Sequence, residues 1–179
     1  KYSRTVGYMD TLSELTNQRF LFNLCSKMEN TVEYEAVMNT MADFANQMNT
    51  GETYTFFYDK KLDELMYQVK DTILPVGHQS AGFQSLIWMV FDIACRMALL
   101  NPHKQEDIAK SKGVVLIDEL DMHLDSHLQG NVINSLRAVF PNVQFIAATH
   151  SQELPASSKD VRIIDIEHDE PEYSYLKED

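Results

Sequence analysis

The chain has 179 residues, 44% hydrophobic and 23% charged, the proportions of a folded domain with one real core. Its 27 acidic residues against 15 basic ones leave a formal net charge of −12, a surface that repels a phosphate backbone and argues against nonspecific nucleic-acid binding by this chain. Cys25 and Cys95 sit among apolar neighbours without metal-ligand spacing, and read as buried free thiols of a reducing, cytoplasmic setting.

Residues 1–50 read as a helical segment. "TLSE" (11–14) fits a capping box, with Thr11 capping and Glu14 reaching back. A second start at "NTVE" (30–33) is followed by Tyr34, Val37, Met38, Met41, Ala42 and Ala45 at helical spacing. "TYTFFY" (53–58) and "ELMYQVK" (64–70) flank "DKKLD" and predict a β-hairpin. "SLIWMVFDIACRMALL" (85–100) is too short to span a bilayer and carries Asp92 and Arg96 four apart, a pairing distance on one helix face. It reads as a buried helix, and no membrane association is expected.

"NPHKQEDIAKSKG" (101–113) reads as a polar linker. "VVLI" (114–117), "NVQFIAA" (142–148) and "VRIIDI" (161–166) read as strands buried on both faces. Between the first two, "SHLQGNVINSLRAVF" (126–140) is amphipathic, with Leu128, Val132, Ile133, Leu136 and Phe140 on one face. Strand, helix, strand with short connections predicts a right-handed βαβ unit and a parallel sheet. The fold class is therefore α/β, and residues 167–179 form an acidic tail.

Chemistry gathers at the strand ends. Asp118 and Glu119 directly follow one strand and point to different sides, so one carboxylate can address a metal and the other a water. "THS" (149–151) ends the next strand and shares its carboxyl edge, where ligands of open α/β sheets bind. "SAGFQ" (80–84) opens the long apolar helix with a hydroxyl, a glycine and free backbone N–H groups that favour an anion.

The order "SAGFQ", "VVLIDE", "LD" (124–125), "THS" resembles the signature motif, Walker B strand, D-loop and switch histidine of an ABC-type ATPase head. "AGFQSL", "ALLNPH", "GVVLIDELDMHL" and "FPNVQFIAATHS" are similar to stretches of RecF-like AAA ATPases, bacterial proteins of DNA repair and phage defence. The resemblance is strong over residues 72–154 and weaker from "GYMDTL" through the hairpin. It implies a parallel-sheet ABC-type ATPase lobe with helices packed on it, over 51–166, preceded by the helical segment and β-hairpin.

By that resemblance the cofactors are ATP and Mg²⁺, with Asp118 holding the metal through water, Glu119 as general base and His150 on the γ-phosphate. Ser80, Gly82 and Gln84 would face a nucleotide bound to the opposite subunit of a homodimer, and Asp125 would organise that interface. Two departures stand out: "SAGFQ" replaces Ser-Gly-Gly-Gln, and Asp125 stands where close relatives carry a histidine.

No G-x-x-x-x-G-K-[ST] loop occurs: only Gly77 and Gly82 have the glycine separation, and Phe83 and Gln84 follow them. Because the family's P-loop precedes all of these motifs and the chain opens on Lys1 rather than methionine, the parent protein is expected to carry the phosphate cradle upstream. The chain alone is then inactive and holds half a site. Two rival readings remain: a non-hydrolysing dimerisation module that controls a partner effector nuclease, and a metal-dependent hydrolase. The second would use His123 and His127, an H-x₃-H pair on a helix, with Asp121 and Asp125 on zinc or manganese. DNA would be reached, if at all, away from the acidic surface of this chain.

Overall fold

The computed structural model describes residues 14–28, 30–48, 50–159, 161–165 and 172–175. Thr11 and most of the acidic tail lie outside the described residues. The first helix, α1, runs Glu14–Met28. Thr31 then starts α2 (Val32–Gln47) as expected, its hydroxyl accepting the Tyr34 N–H at 3.2 Å. The buried face of α2 comprises Ala36, Val37, Met38, Thr40, Met41, Phe44 and Ala45, the helical spacing that the sequence shows.

The hairpin forms between β1 (Tyr54–Asp59) and β2 (Glu64–Val69), with Asp59 opposite Glu64. Its turn is held by the Asp59 carboxylate, which accepts the N–H groups of Lys61 and Leu62 at 2.8 and 3.2 Å. A third strand, β3 (Thr72–Pro75), joins antiparallel to β2 through a two-residue turn in which Lys70 takes φ +53°. Neither asparagine nor glycine marks that turn, so the sequence did not announce it.

Ser80 caps α3 (Ala81–Leu100), a 20-residue helix. Starting at Ala81 rather than Ser85, it is long and apolar enough by length and composition to cross a bilayer, contrary to the expectation. Its packing identifies it instead as the core helix. Phe83, Leu86, Ile87, Val90, Phe91 and Ala94 are buried, and Trp88 and Phe91 continue an aromatic chain through Phe22 to Tyr58. Arg96 Nε bonds both Asp92 oxygens at 2.9 Å, the predicted i,i+4 pair. Residues 101–113 are more than a linker: Gln105–Lys110 form a 3₁₀ helix that plants Ile108 fully in the core against α2 and α3.

The βαβ unit follows as β4 (Gly113–Ile117), α4 (Ser126–Val139) and β5 (Val143–Ala147), with β4 and β5 parallel and Ile117 opposite Ala147. Leu128, Val132, Leu136 and Phe140 are buried as their spacing requires. The strands, however, are covered on one face only. Val115, Ile117, Val143 and Phe145 pack on the core, whereas Val114, Leu116 and Ile146 are 62%, 75% and 52% exposed. The expected cover on both faces is therefore not found among the described residues: an apolar run reports a strand's surroundings in a whole sheet, and nothing described lies on the second face. A short α5 (Glu153–Ala156) precedes β6 (Arg162–Asp165), which leaves the parallel sheet and pairs antiparallel with β7 (Glu172–Tyr175). Ile164, 53% exposed, shows why β6 is not a third buried strand.

Candidate functional site

The site is built where β4 and β5 end. The ladder runs one rung past the strands: Ala148 N–H donates to the Ile117 carbonyl at 2.9 Å, and Leu120 N–H returns to the Ala148 carbonyl at 3.0 Å. These bonds lay the acidic loop that follows β4 beside the segment carrying Thr149 and His150. Asp118, Glu119 and His150 lie at that shared edge, the placement expected from the sequence, and all three are exposed. The edge is open rather than a cavity. A groove of about 550 Å³ lies elsewhere, between α2, the 3₁₀ helix and α4, and contains none of these residues.

The 118–125 loop is tightly wound. Glu119 and His123 take φ +49° and +65°, a region costly for residues with a Cβ. Two turns compensate, with Met122 N–H on the Glu119 carbonyl at 2.9 Å and Leu124 N–H on the Asp121 carbonyl at 3.1 Å. Leu120 and Leu124 bury their side chains and anchor the loop to the core. The left-handed φ at Glu119 ends the extended backbone of β4 there, which the strand period alone would not have specified.

Asp121 joins the two halves of the edge. Its carboxylate accepts the Thr149 hydroxyl at 2.6 Å and the His150 backbone N–H at 3.2 Å. The Thr149 hydroxyl, with support from backbone N–H groups, holds the Asp121 carboxyl below the usual carboxylate range. On the other flank, Ser151 Oγ donates to Gln129 Oε1 at 2.5 Å while Gln129 Nε2 reaches the Leu124 carbonyl at 2.9 Å. Sequence reasoning considered Asp121 only as a metal ligand and gave Gln129 no role. No spacing rule could have paired them with residues 28 and 22 positions away.

Ser80 is exposed, and its hydroxyl accepts the Phe83 N–H at 3.4 Å, a weak cap. Gln84 turns back on the loop before α3, its amide donating to the carbonyls of Gly77 and Gln79 at 3.0 and 2.6 Å. Gly82 is buried. A Cβ there would stand 2.3 Å from the His123 carbonyl oxygen, so the close neighbour is the acidic loop of the same chain. A substitution at 82 therefore tests loop packing before it tests phosphate approach. Asp125 is the N-cap of α4, accepting the Leu128 N–H at 2.9 Å.

The H-x₃-H pair does not share a helix: His123 sits in the left-handed turn and His127 in the first turn of α4. Among the described residues no three His, Cys, Asp or Glu side chains converge as metal ligands. Asp118 and Glu119 are exposed oxygen donors, a set that suits Mg²⁺, which keeps much of its water and takes one or two carboxylates.

Residues 9–154 match the AAA ATPase domain family. The chain is 32% identical over 146 residues to the retron Ec83 probable ATPase of Escherichia coli, covering 82% of this chain and 24% of that protein. It is 30% identical over 152 residues to the Septu protein PtuA of Bacillus mycoides (strain KBAB4), covering 81% and 20%. The chain thus spans about a quarter or less of the length of these relatives. Among solved structures it resembles an SMC ATPase described for ATP-driven dimerization and DNA-stimulated activation. The TM-score is 0.52 at 16% identity, over 80% of this chain and 84% of that one, a likeness of fold alone. The family match, the order of the motifs and the sheet edge that joins them agree: the chain belongs to the AAA ATPase domain family, with the fold of the C-terminal part of a RecF-like, ABC-type ATPase head.

Proposed function

We propose that this chain supplies the carboxylate, histidine and signature elements of an ATP-hydrolysing site, and that a P-loop in the complete protein and a second head complete it. One observation carries the reading. Asp118, Glu119 and His150 stand exposed on one sheet edge, beside an apolar sheet face that nothing described covers. An open face bearing Val114, Leu116 and Ile146 fits a further lobe of the same head, the lobe that would bring the phosphate cradle.

In this reading Asp118 would hold Mg²⁺ through water, and the ion would supply positive charge beside the phosphates. Glu119 accepts a proton from the attacking water. His150 donates to the γ-phosphate. Ser80 and the first N–H groups of α3 approach the nucleotide of the opposite head, where a helix N-terminus favours an anion. Asp125, already fixed as a cap, lines the interface between heads. The likeness to retron and Septu proteins supports anti-phage defence over DNA repair as the setting.

The test is Glu119→Gln in the complete protein. Loss of a general base lowers turnover ~10²–10⁴-fold, Mg-ATP binding is kept, and the nucleotide-bound dimer persists on size exclusion. Unchanged turnover would remove Glu119 from the reaction. Absence of turnover in the unaltered protein, with nucleotide still bound, would favour the non-hydrolysing module instead.

A further inference from the structure

We propose that Asp121 is a positioning residue for His150: its carboxylate pins the backbone on which the histidine is carried, tying the phosphate-contacting group to the loop that holds Asp118 and Glu119. The proposal rests on the reading of His150 given above and specifies how that residue is held.

The need for a pin follows from the topology. The β-ladder ends at Ala148, so His150 stands beyond the last inter-strand bond, exposed, on a connection to the short α5. An unpaired segment of that kind samples many conformations, and each misplacement of a contacting group costs turnover. Here the segment is fixed by side chains on both sides of the histidine. Thr149 donates its hydroxyl to Asp121 at 2.6 Å and accepts the Ser151 N–H at 3.0 Å, so one carboxylate orders two consecutive linkages. Asp121 also takes the His150 N–H itself, at 3.2 Å. Ser151 is clamped separately by Gln129, and its oxygen also accepts the N–H groups of Glu153 and Leu154 at 3.2 and 3.3 Å, where α5 begins.

Asp121 is placed to do this because of the strained loop. The turns at Glu119 and His123 lift residue 121 out of the line of β4 and across toward β5, while buried Leu120 and Leu124 hold the loop on either side. A change in the acidic loop is therefore transmitted to His150 through a single carboxylate, and Gly82 beneath His123 extends that link to the start of α3. The bonds are charge-assisted, the stronger class, and one of them goes directly to the backbone of the residue being positioned.

The experiment uses the complete protein and four variants: Asp121→Ala, Asp121→Asn, His150→Ala and the double Asp121→Ala/His150→Ala. Asp121→Ala should lower kcat about ten- to a hundredfold, the rate equivalent of losing a charge-assisted hydrogen bond, with KM little changed. Asp121→Asn keeps an acceptor oxygen and should recover most of that loss. The double variant should turn over no more slowly than His150→Ala alone, because a residue that acts through the histidine has nothing left to position. A purely structural role would instead lower the melting temperature and multiply with the His150 defect. Should Asp121→Ala fold poorly, Thr149→Val removes the donor at nearly constant shape and should lower kcat in the same direction. Normal turnover in Asp121→Ala or Thr149→Val, beside a slow His150→Ala, would overturn the positioning proposal and leave the ATPase reading standing. Normal turnover in His150→Ala would overturn the histidine's role and this proposal together.

Discussion

Replacing Gly82 by alanine adds one carbon at the most crowded point between α3 and the acidic loop. The Cβ would meet the His123 carbonyl oxygen at 2.3 Å, its carbon at 3.1 Å and Leu128 Cδ1 at 3.2 Å. The leucine methyl can rotate away, but the carbonyl is backbone, already wound into a left-handed turn at φ +65°. Restoring even a 3.0 Å contact needs a retreat of about 0.7 Å, and forcing an extra carbon into a packed site costs about 1–3 kcal/mol. Alanine's better helix propensity returns at most ~1 kcal/mol, less in the first turn. The balance is about 1–2 kcal/mol against the packed loop, a factor of roughly 5–30 in its opening equilibrium. Hydrogen exchange of the 118–125 peptide in the complete protein reads this out through Leu120, Met122 and Leu124, whose N–H groups are all bonded in the closed loop. Exchange should speed up by that factor and ATP turnover should fall. Unchanged exchange with lowered turnover would mean that the glycine is there for the nucleotide and not for the loop.

If the proposed further lobe covers this face in the complete protein, Leu116→Gln should cost about 2–3 kcal/mol in urea unfolding, the loss of a buried apolar side chain; a shift within ~0.5 kcal/mol would mean that this face stays in water. Arg96→Leu strands a half-buried Asp92 carboxylate and should destabilise by about 1–3 kcal/mol, less than a fully buried pair, whereas Asp92→Leu/Arg96→Leu should regain most of the loss. Equal losses in the single and double variants would show that packing, not charge, governs the site. Burial, with a hydrogen bond to Cys25, pushes the Cys95 thiol up, so iodoacetamide at pH 8 should label it only after unfolding. Its raised folded pKa favours the native state below the unfolded thiol value of about 8.5, and that contribution is lost as pH rises through the folded pKa. Labelling at the rate of a free thiol in the native protein would contradict that burial.

Local chemistry is what the sequence carried by itself. Thr31 before Tyr34, the apolar spacing of α2 and α4, the Asp92–Arg96 pair and the apolar run into Asp118-Glu119 are short-range patterns. Each is set by the helical or strand period within a few residues, so each could be read before any fold was known. Tertiary structure decided what depends on long-range neighbours. It left Leu116 and Ile146 exposed, paired β6 with β7, buried Ile108 out of a polar stretch and set Gly82 against a backbone carbonyl 41 residues on. It also brought Asp121 to Thr149, 28 positions apart, and Gln129 to Ser151, 22 apart. Hydrogen bonds and contacts of this kind have no period: they arise only where the parallel pairing of β4 with β5 and the left-handed turns at Glu119 and His123 place two loops side by side.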